Sequence, residues 1–314
     1  MPIPVLIDTD PGVDDAVALW WALTSPGLDV VALTAVHGNV DVDLAAANAG
    51  RVVHAAGRPD VPFAVGEAGP IAPAPVTDHP VWVHGRDGLG EAGIPPAPVV
   101  PVAEPAVALL RRLVDERPGE LAVVTLGPLS NVARVLAEDP TWASRVARLV
   151  VMAGSVGLGG NATAAAEANV AHDPTALAAV VAAGWAQPPL LVGLDATLAA
   201  TLSPAEIALC GDRRTPAAAF CDGPLHFYRN VVGGPSGDCA CHDLLAVLAL
   251  EDPEIVRTEV LPVAVDVAGG PAWGATVVDR RRRTVPDAAF HPWNVALGAD
   301  PARFRAAARR LFGD

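Results

Sequence analysis

Four carboxylates fall within the eight residues Asp8-Thr9-Asp10-Pro11-Gly12-Val13-Asp14-Asp15, directly after an apolar run. Crowding them is costly unless a cation or protons neutralise the charge. Hard oxygen donors without histidine or cysteine suit Ca²⁺ or Mg²⁺ better than Zn²⁺. A purely structural reading has Asp8 bonding backbone, Pro11-Gly12 turning the chain and Asp14 capping a helix. Each role is reasonable for one residue, but together they leave part of the cluster unexplained.

The elements that must position these groups alternate along the chain. Val5 to Ile7 reads as a strand, Asp14 to Thr24 as a helix, Val30 to Val36 as a strand and Asp41 to Ala56 as a helix. Leu121 to Leu126, Leu149 to Met152 and Pro188 to Leu194 read as further buried strands. Helical sequence follows around Pro204 to Leu209, Gly223 to Val232 and from near Asp243. Leu261 to Val267 and Ala275 to Asp279 alternate like a hairpin, Trp293 to Leu297 reads as a strand, and Pro301 to Leu311 as an amphipathic helix. The pattern predicts an α/β fold: a mostly parallel, Rossmann-like open sheet with helices on both faces, one domain over residues 1–314, closed by the hairpin and helix. In such a sheet ligands bind beyond the carboxyl ends of the strands, where the four carboxylates fall. One proline-rich tract, Glu67 to Pro101, carries no clear periodicity and is expected to be a lid. Its core, His84-Gly-Arg-Asp-Gly-Leu-Gly90, is the part placed to meet a ligand.

Composition narrows the chemistry. The formal net charge is -14, and all 21 basic residues are arginine. Without lysine the chain forms no Schiff base and has no phosphate-loop lysine. The acidic excess disfavours a nucleic-acid polymer as partner. Cys210, Cys221, Cys239 and Cys241 are confined to one stretch, unlike a secreted disulfide framework, and are expected to be buried free thiols rather than a zinc ribbon. No apolar stretch reaches the ~18 residues of a membrane span, and the amino-terminal residues carry no basic leader. The expectation is a soluble cytoplasmic protein with no membrane partner. The run Arg280 to Arg283 is expected to be a solvated turn, or a pairing site across a subunit contact.

Asp8-x-Asp10 after a first strand is also found in haloacid-dehalogenase-like phosphatases, where Asp8 would be nucleophile and Asp10 acid. The missing lysine and the Pro11-Gly12-Val13-Asp14-Asp15 continuation count against that alternative. Asp8-Thr9-Asp10-Pro11-Gly12-Val13-Asp14-Asp15-Ala16 instead resembles the signature of the calcium-dependent nucleoside hydrolases, which cleave the N-glycosidic bond of ribonucleosides. The resemblance continues in order through His37-Gly38-Asn39, Leu126-Gly127-Pro128-Leu129-Ser130-Asn131, Met152-Ala153-Gly154-Ser155, Asn161, Glu167-Ala168-Asn169, Asp173-Pro174, His242-Asp243 and Trp293-Asn294-Val295-Ala296-Leu297.

Cleavage of this bond passes through an oxocarbenium-like state and calls for an activated water, a grip on the sugar hydroxyls and help for the departing base. The resemblance implies one Ca²⁺ held by Asp10, Asp15, Asp243 and the carbonyl of Leu126, with Asp10 also the general base. It implies that Asp14, Asn39 and Asn169 hold the 2′- and 3′-hydroxyls. Asn161 and Glu167 would bind the 5′-hydroxyl over a floor that includes Met152. A carboxylate there disfavours a 5′-phosphate, so nucleosides are expected over nucleotides. His242 would face the base and donate to it, and Tyr228 or His226 would contact it from a closing helix. Ala168 and the Cys239-Ala-Cys241 segment depart from relatives and bear on base preference. A homo-oligomer, dimer or tetramer, is implied by resemblance alone. The contrasting class is a non-catalytic nucleoside or ribose binder built on the same scaffold.

Overall fold

In a computed structural model, which describes residues 1–281 and 287–313, the apolar runs assemble into one large sheet. Its strands, together with a small separate pair, are β1 (Ile3–Thr9), β2 (Leu28–Ala35), β3 (Phe63–Val65), β4 (Ala122–Thr125), β5 (Arg148–Met152), β6 (Leu190–Val192), β7 (Thr201–Leu202), β8 (Cys239–Ala240), β9 (Val256–Val265), β10 (Thr276–Val278) and β11 (His291–Ala299). The nine-stranded sheet has the order β10-β9-β11-β6-β5-β4-β1-β2-β3, and β7 pairs with β8. From β3 to β11 the neighbours are parallel, and β9 is antiparallel to both β10 and β11. The mostly parallel sheet and the carboxyl-terminal hairpin are therefore as the sequence predicts. The final strand adds a detail that local pattern does not contain: it inserts between β6 and β9 instead of extending the edge.

Alternation along the central strands decides which core each side chain joins. Val5 and Ile7 of β1, Ala122 and Val124 of β4, and Val150 and Met152 of β5 pack with helices Val13–Thr24 and His242–Glu251 on one face. Leu6, Val123, Leu149 and Val151 point the other way, against helices Ala106–Glu116, Ser130–Glu138 and Pro174–Val181. Both faces are thus covered, which is why these strands read as continuous apolar runs. Helix Val13–Thr24 is buried over most of its surface, and its two acidic residues sit in the first turn, where the helix dipole favours them.

Strand order reverses at β1, with β2 on one side and β4 on the other, so the loops after these strands diverge and leave a crevice. The Glu67 to Pro101 tract crosses above it and contains only one short helix, Val81–His84. Of the Arg280 to Arg283 run, Arg282 and Arg283 lie outside the described residues, and Arg281 pairs with Asp279 at 2.7 Å.

Leu6 is 1% exposed and supports the second face alone among its immediate neighbours in β1. Leu6→Ala is expected to cost about 2–5 kcal/mol, read by chemical denaturation, with activity retained in the folded fraction.

Candidate active site

The loop after β1 delivers the carboxylates, and glycines elsewhere make room for them. Asp10 is 1% exposed; its Oδ2 accepts the Asn39 N–H at 2.7 Å, while Oδ1 is buried with no hydrogen-bond partner. A β-carbon on Gly38 would stand 1.9 Å from Oδ2, and one on Gly127 would stand 2.6 Å from Oδ1. The His37-Gly38-Asn39 and Leu126-Gly127-Pro128 strings are therefore two walls that clasp one carboxylate, and only glycine allows their backbone to come so near.

Asp15, not Asp14, caps the first helix. Its Oδ2 accepts from the Gly12 N–H and Asn39 Nδ2, each at 3.0 Å, and its Oδ1 accepts from the Thr9 hydroxyl at 2.6 Å. Asp14 instead accepts the backbone N–H of His242 at 3.2 Å through Oδ2. That bond ties the start of the first helix to the start of helix His242–Glu251, which carries Asp243. One carboxylate oxygen from each of Asp14, Asp15 and Asp243 lies within 4.8 Å of the others, and all three residues are buried. Burial, reinforced by the neighbouring Asp15 charge, drives Asp10, Asp14 and Asp243 well above the ordinary carboxylate range. An all-oxygen, strongly acidic group with an orphaned Asp10 oxygen beside it fits a divalent cation, whose charge would remove that penalty. The close trio adds Asp14 beside Asp15 and Asp243 of the ligand set anticipated from sequence, and Asp10 stands next to it with its free Oδ1.

Asp8 is at a different level. It is fully buried, with Oδ1 accepting from Thr34 Oγ1 at 2.5 Å and Asn131 Nδ2 at 2.7 Å. Burial pushes its carboxyl up to about 7 against those two bonds. It pairs in register with Thr34 and Thr125 inside the sheet and does not line the crevice. Its place within the strand and its bonds to Thr34 and Asn131 give it a structural role rather than the nucleophile's role of the phosphatase alternative.

The crevice is a cavity of about 980 Å³. Asp14, His84, Leu126, Glu167, Tyr228 and Asp243 line it, as do Asn39, Met152, Asn161, Asn169 and His242. Asp10 and Asp15 are buried and do not line it. Nor does His226, which is half-exposed and bonds Asp222 on its own helix. Asn169 Nδ2 donates to the carbonyls of Leu126 at 2.6 Å and Met152 at 3.0 Å, leaving its Oδ1 as the acceptor for a ligand. Asn39, with Nδ2 committed to Asp15, likewise offers Oδ1. Glu167 caps the short helix Ala168–His172: Oε1 accepts Asn169 N–H, and Oε2 accepts Gly154 and Val170 N–H. Burial still raises it to about 7. Asn161 holds the same turn through the Ala168 N–H at 2.9 Å.

Two imidazoles flank the opposite end. His84 Nδ1 accepts the Val13 N–H at 3.1 Å, so its proton is on Nε2; its ring stacks on Tyr228 with centroids 5.7 Å apart. Burial, with His242 nearby, lowers His84 to about 3. His242 Nδ1 pairs with Thr197 Oγ1 at 2.7 Å, and burial lowers it to about 4, so both rings are neutral near pH 7. The lid tract reaches the cavity, but of its expected His84–Gly90 core only His84 lines it; the rest of its contribution comes from residues before His84, among them Val76, His79 and Trp82. Sequence reasoning missed Thr9, Thr34, Thr197 and the walls His79, Trp82 and His172. Asn131 lay inside a quoted string, but only the fold reveals its bond to Asp8. The four cysteines are free and buried, as anticipated.

Against known proteins, residues 5–306 match the family model described as inosine-uridine preferring nucleoside hydrolase. The chain is 37% identical over 270 residues to a probable uridine nucleosidase 2 of Oryza sativa subsp. japonica, covering 84% of this chain and 79% of that one. It is 36% identical over 305 residues to the non-specific ribonucleoside hydrolase RihC of Salmonella newport, covering 96% and 94%. Among solved structures, a purine-preferring ribonucleoside hydrolase from Gardnerella vaginalis superposes with a TM-score of 0.90 at 31% identity, over 99% of this chain and 98% of that one. A plant nucleoside hydrolase gives 0.91 at 30% identity over the whole of both chains.

Gly127→Ala forces a methyl group against Asp10 and is expected to weaken divalent-cation binding about 10- to 100-fold by calorimetry, with little change in the cation-free melting temperature. His172 is lowered to about 4 by burial and by His79. Below pH 6.5 the unfolded chain protonates this ring and the fold does not, so its neutral burial costs stability increasingly as pH falls towards 4. His172→Gln removes that dependence. The variant should therefore lose less stability than the parent between pH 6.5 and 4, by roughly 2–3 kcal/mol; parallel melting curves would contradict it.

Proposed function

Because the chain belongs to the inosine-uridine preferring nucleoside hydrolase family, and so hydrolyses the N-glycosidic bond of ribonucleosides, we propose how its own residues share that work. The observation that carries the reading is the buried Asp14, Asp15 and Asp243 group with the unpaired Asp10 oxygen beside it. These residues, with the Leu126 carbonyl, would hold one Ca²⁺, which when bound supplies charge that favours ionised carboxylates, an oriented water and chelation of vicinal hydroxyls.

Asp10 Oδ1 is the oxygen that takes the proton from the attacking water, since Oδ2 is committed to Asn39. The side-chain oxygens of Asn39 and Asn169 accept the ribose hydroxyls, joined by the uncommitted oxygen of Asp14. Met152 packs against the sugar. Glu167 Oε1 accepts only one backbone bond and has a lone pair for the 5′-hydroxyl, with Asn161 alongside. A buried carboxylate there repels a 5′-phosphate. At the far end, a Thr197 hydroxyl donating into His242 Nδ1 leaves Nε2–H to donate to the departing base. His84 and Tyr228 form the adjoining wall.

The whole chain acts as one unit in this reading, as a homo-oligomer in a reducing, cytoplasmic setting that suits its four buried free thiols. No described helix is long and apolar enough to cross a membrane. The relatives include uridine, pyrimidine-specific, purine-preferring and non-specific hydrolases, so inosine and uridine are the first pair to compare.

The calcium-loaded protein should release free base and ribose from ribonucleosides, lose activity with a chelator and regain it with calcium. Asp10→Ala should lower kcat by about 10³-fold or more with the fold retained. Inactivity of the loaded protein on purine, pyrimidine and nicotinamide ribosides alike, or binding without turnover, would overturn the proposal.

A further inference from the structure

A second chain of polar groups lies outside the cavity wall. His37, Ser130 and Asp173 are 4%, 0% and 0% exposed. His37 Nε2 is 3.0 Å from Ser130 Oγ, and Ser130 Oγ donates to Asp173 Oδ2 at 2.7 Å. Asp173 is itself held by the Ile71 N–H at 2.8 Å and the Ala176 N–H at 3.0 Å. The single serine hydrogen is committed to the carboxylate, so Ser130 Oγ accepts from His37 and the ring carries its proton on Nε2. The direction of both bonds is thereby fixed from Asp173 outward.

The order Ser130 between His37 and Asp173 is wrong for nucleophilic catalysis, in which the imidazole stands between serine and carboxylate. None of the three lines the cavity. What the chain does hold is the backbone that follows His37. Gly38 leaves no space for a methyl group against Asp10, and the Asn39 N–H bonds Asp10 Oδ2. Asn39 Nδ2 also bonds Asp15. A shift of this tripeptide is therefore passed directly into the carboxylates.

We propose that Asp173, Ser130 and His37 are positioning residues that fix the loop after β2 and, through Gly38 and Asn39, set the orientation of Asp10 for proton transfer. The inference rests on the reading of Asp10 as general base. His37 follows β2, Ser130 opens helix Ser130–Glu138 and Asp173 lies between helices Ala168–His172 and Pro174–Val181, so the clasp ties together three separate connections.

The test uses full-length, calcium-loaded protein with uridine and inosine, measuring kcat, KM, melting temperature and calcium stoichiometry by calorimetry. Ser130→Ala removes one oxygen at a buried site, and His37→Gln retains a donor where His37→Leu does not. Ser130→Ala and His37→Leu should each lower kcat about 10- to 100-fold, since small misplacements of a reacting group are expensive. KM should stay within about threefold, calcium stoichiometry should be unchanged, and the double variant should be no worse than the poorer single one. His37→Gln should recover kcat to within about threefold of the parent. The proposal is overturned if Ser130→Ala leaves kcat unchanged, if His37→Gln is as impaired as His37→Leu, or if melting temperature falls while kcat of the folded protein does not. Asp10→Asn separates the two readings: if that variant stays active, the base assignment fails, whereas an inactive Asp10→Asn beside a fully active Ser130→Ala breaks only the positioning role.

Discussion

Like charges held close together away from water set the terms for this molecule. Asp10, Asp14, Asp15 and Asp243 occupy one buried region, where burial and neighbouring charge raise the cost of ionising Asp10, Asp14 and Asp243. The surrounding backbone responds by aiming donors inward: the N–H groups of Gly12, Asn39 and His242, the Asn39 amide and the Thr9 hydroxyl all point at these oxygens. The donors reduce the penalty without removing it. The remaining deficit is what makes the region receptive to a small, hard cation.

Satisfying that constraint consumes side chains whose types look catalytic. Glu167 spends three of its lone pairs on backbone N–H groups, His84 accepts from the first helix, and Asn169 bridges the carbonyls that end β4 and β5. Each presents to the crevice only the atom left over. Ligand recognition in this site is thus largely a matter of residual valence: the fold decides which oxygen or nitrogen remains free, and the free atoms are mostly acceptors, matched to hydroxyl donors.

The sequence carried the sheet, the crevice and most of its lining because those depend on local signals: β-branched runs, carboxylates after a strand, and short strings recurring in order. It was less informative wherever identity depends on a neighbour distant in the chain. The close trio contains Asp14 because the backbone of His242 fixes that side chain, and nothing near Asp14 announces it. Asp8 resembles its companions in spacing, yet register with Thr34 and Thr125 takes it into the sheet. The roles of Thr197 and Ser130 required knowing which loops meet, and the place of β11 between β6 and β9 is a matter of topology alone.

That last placement bears on how the sheet closes. β11 follows the other described strands in the chain, and it bonds β6 on one side and β9 on the other. Until it arrives, the hairpin of β9 and β10 has no sheet to join, and both β6 and β9 expose unpaired backbone edges. A chain whose β11 is not yet seated therefore holds two templates for mispairing, and the pairing of β11 with β6, distant in sequence, closes slowly. Seating β11 therefore covers both edges in a single step.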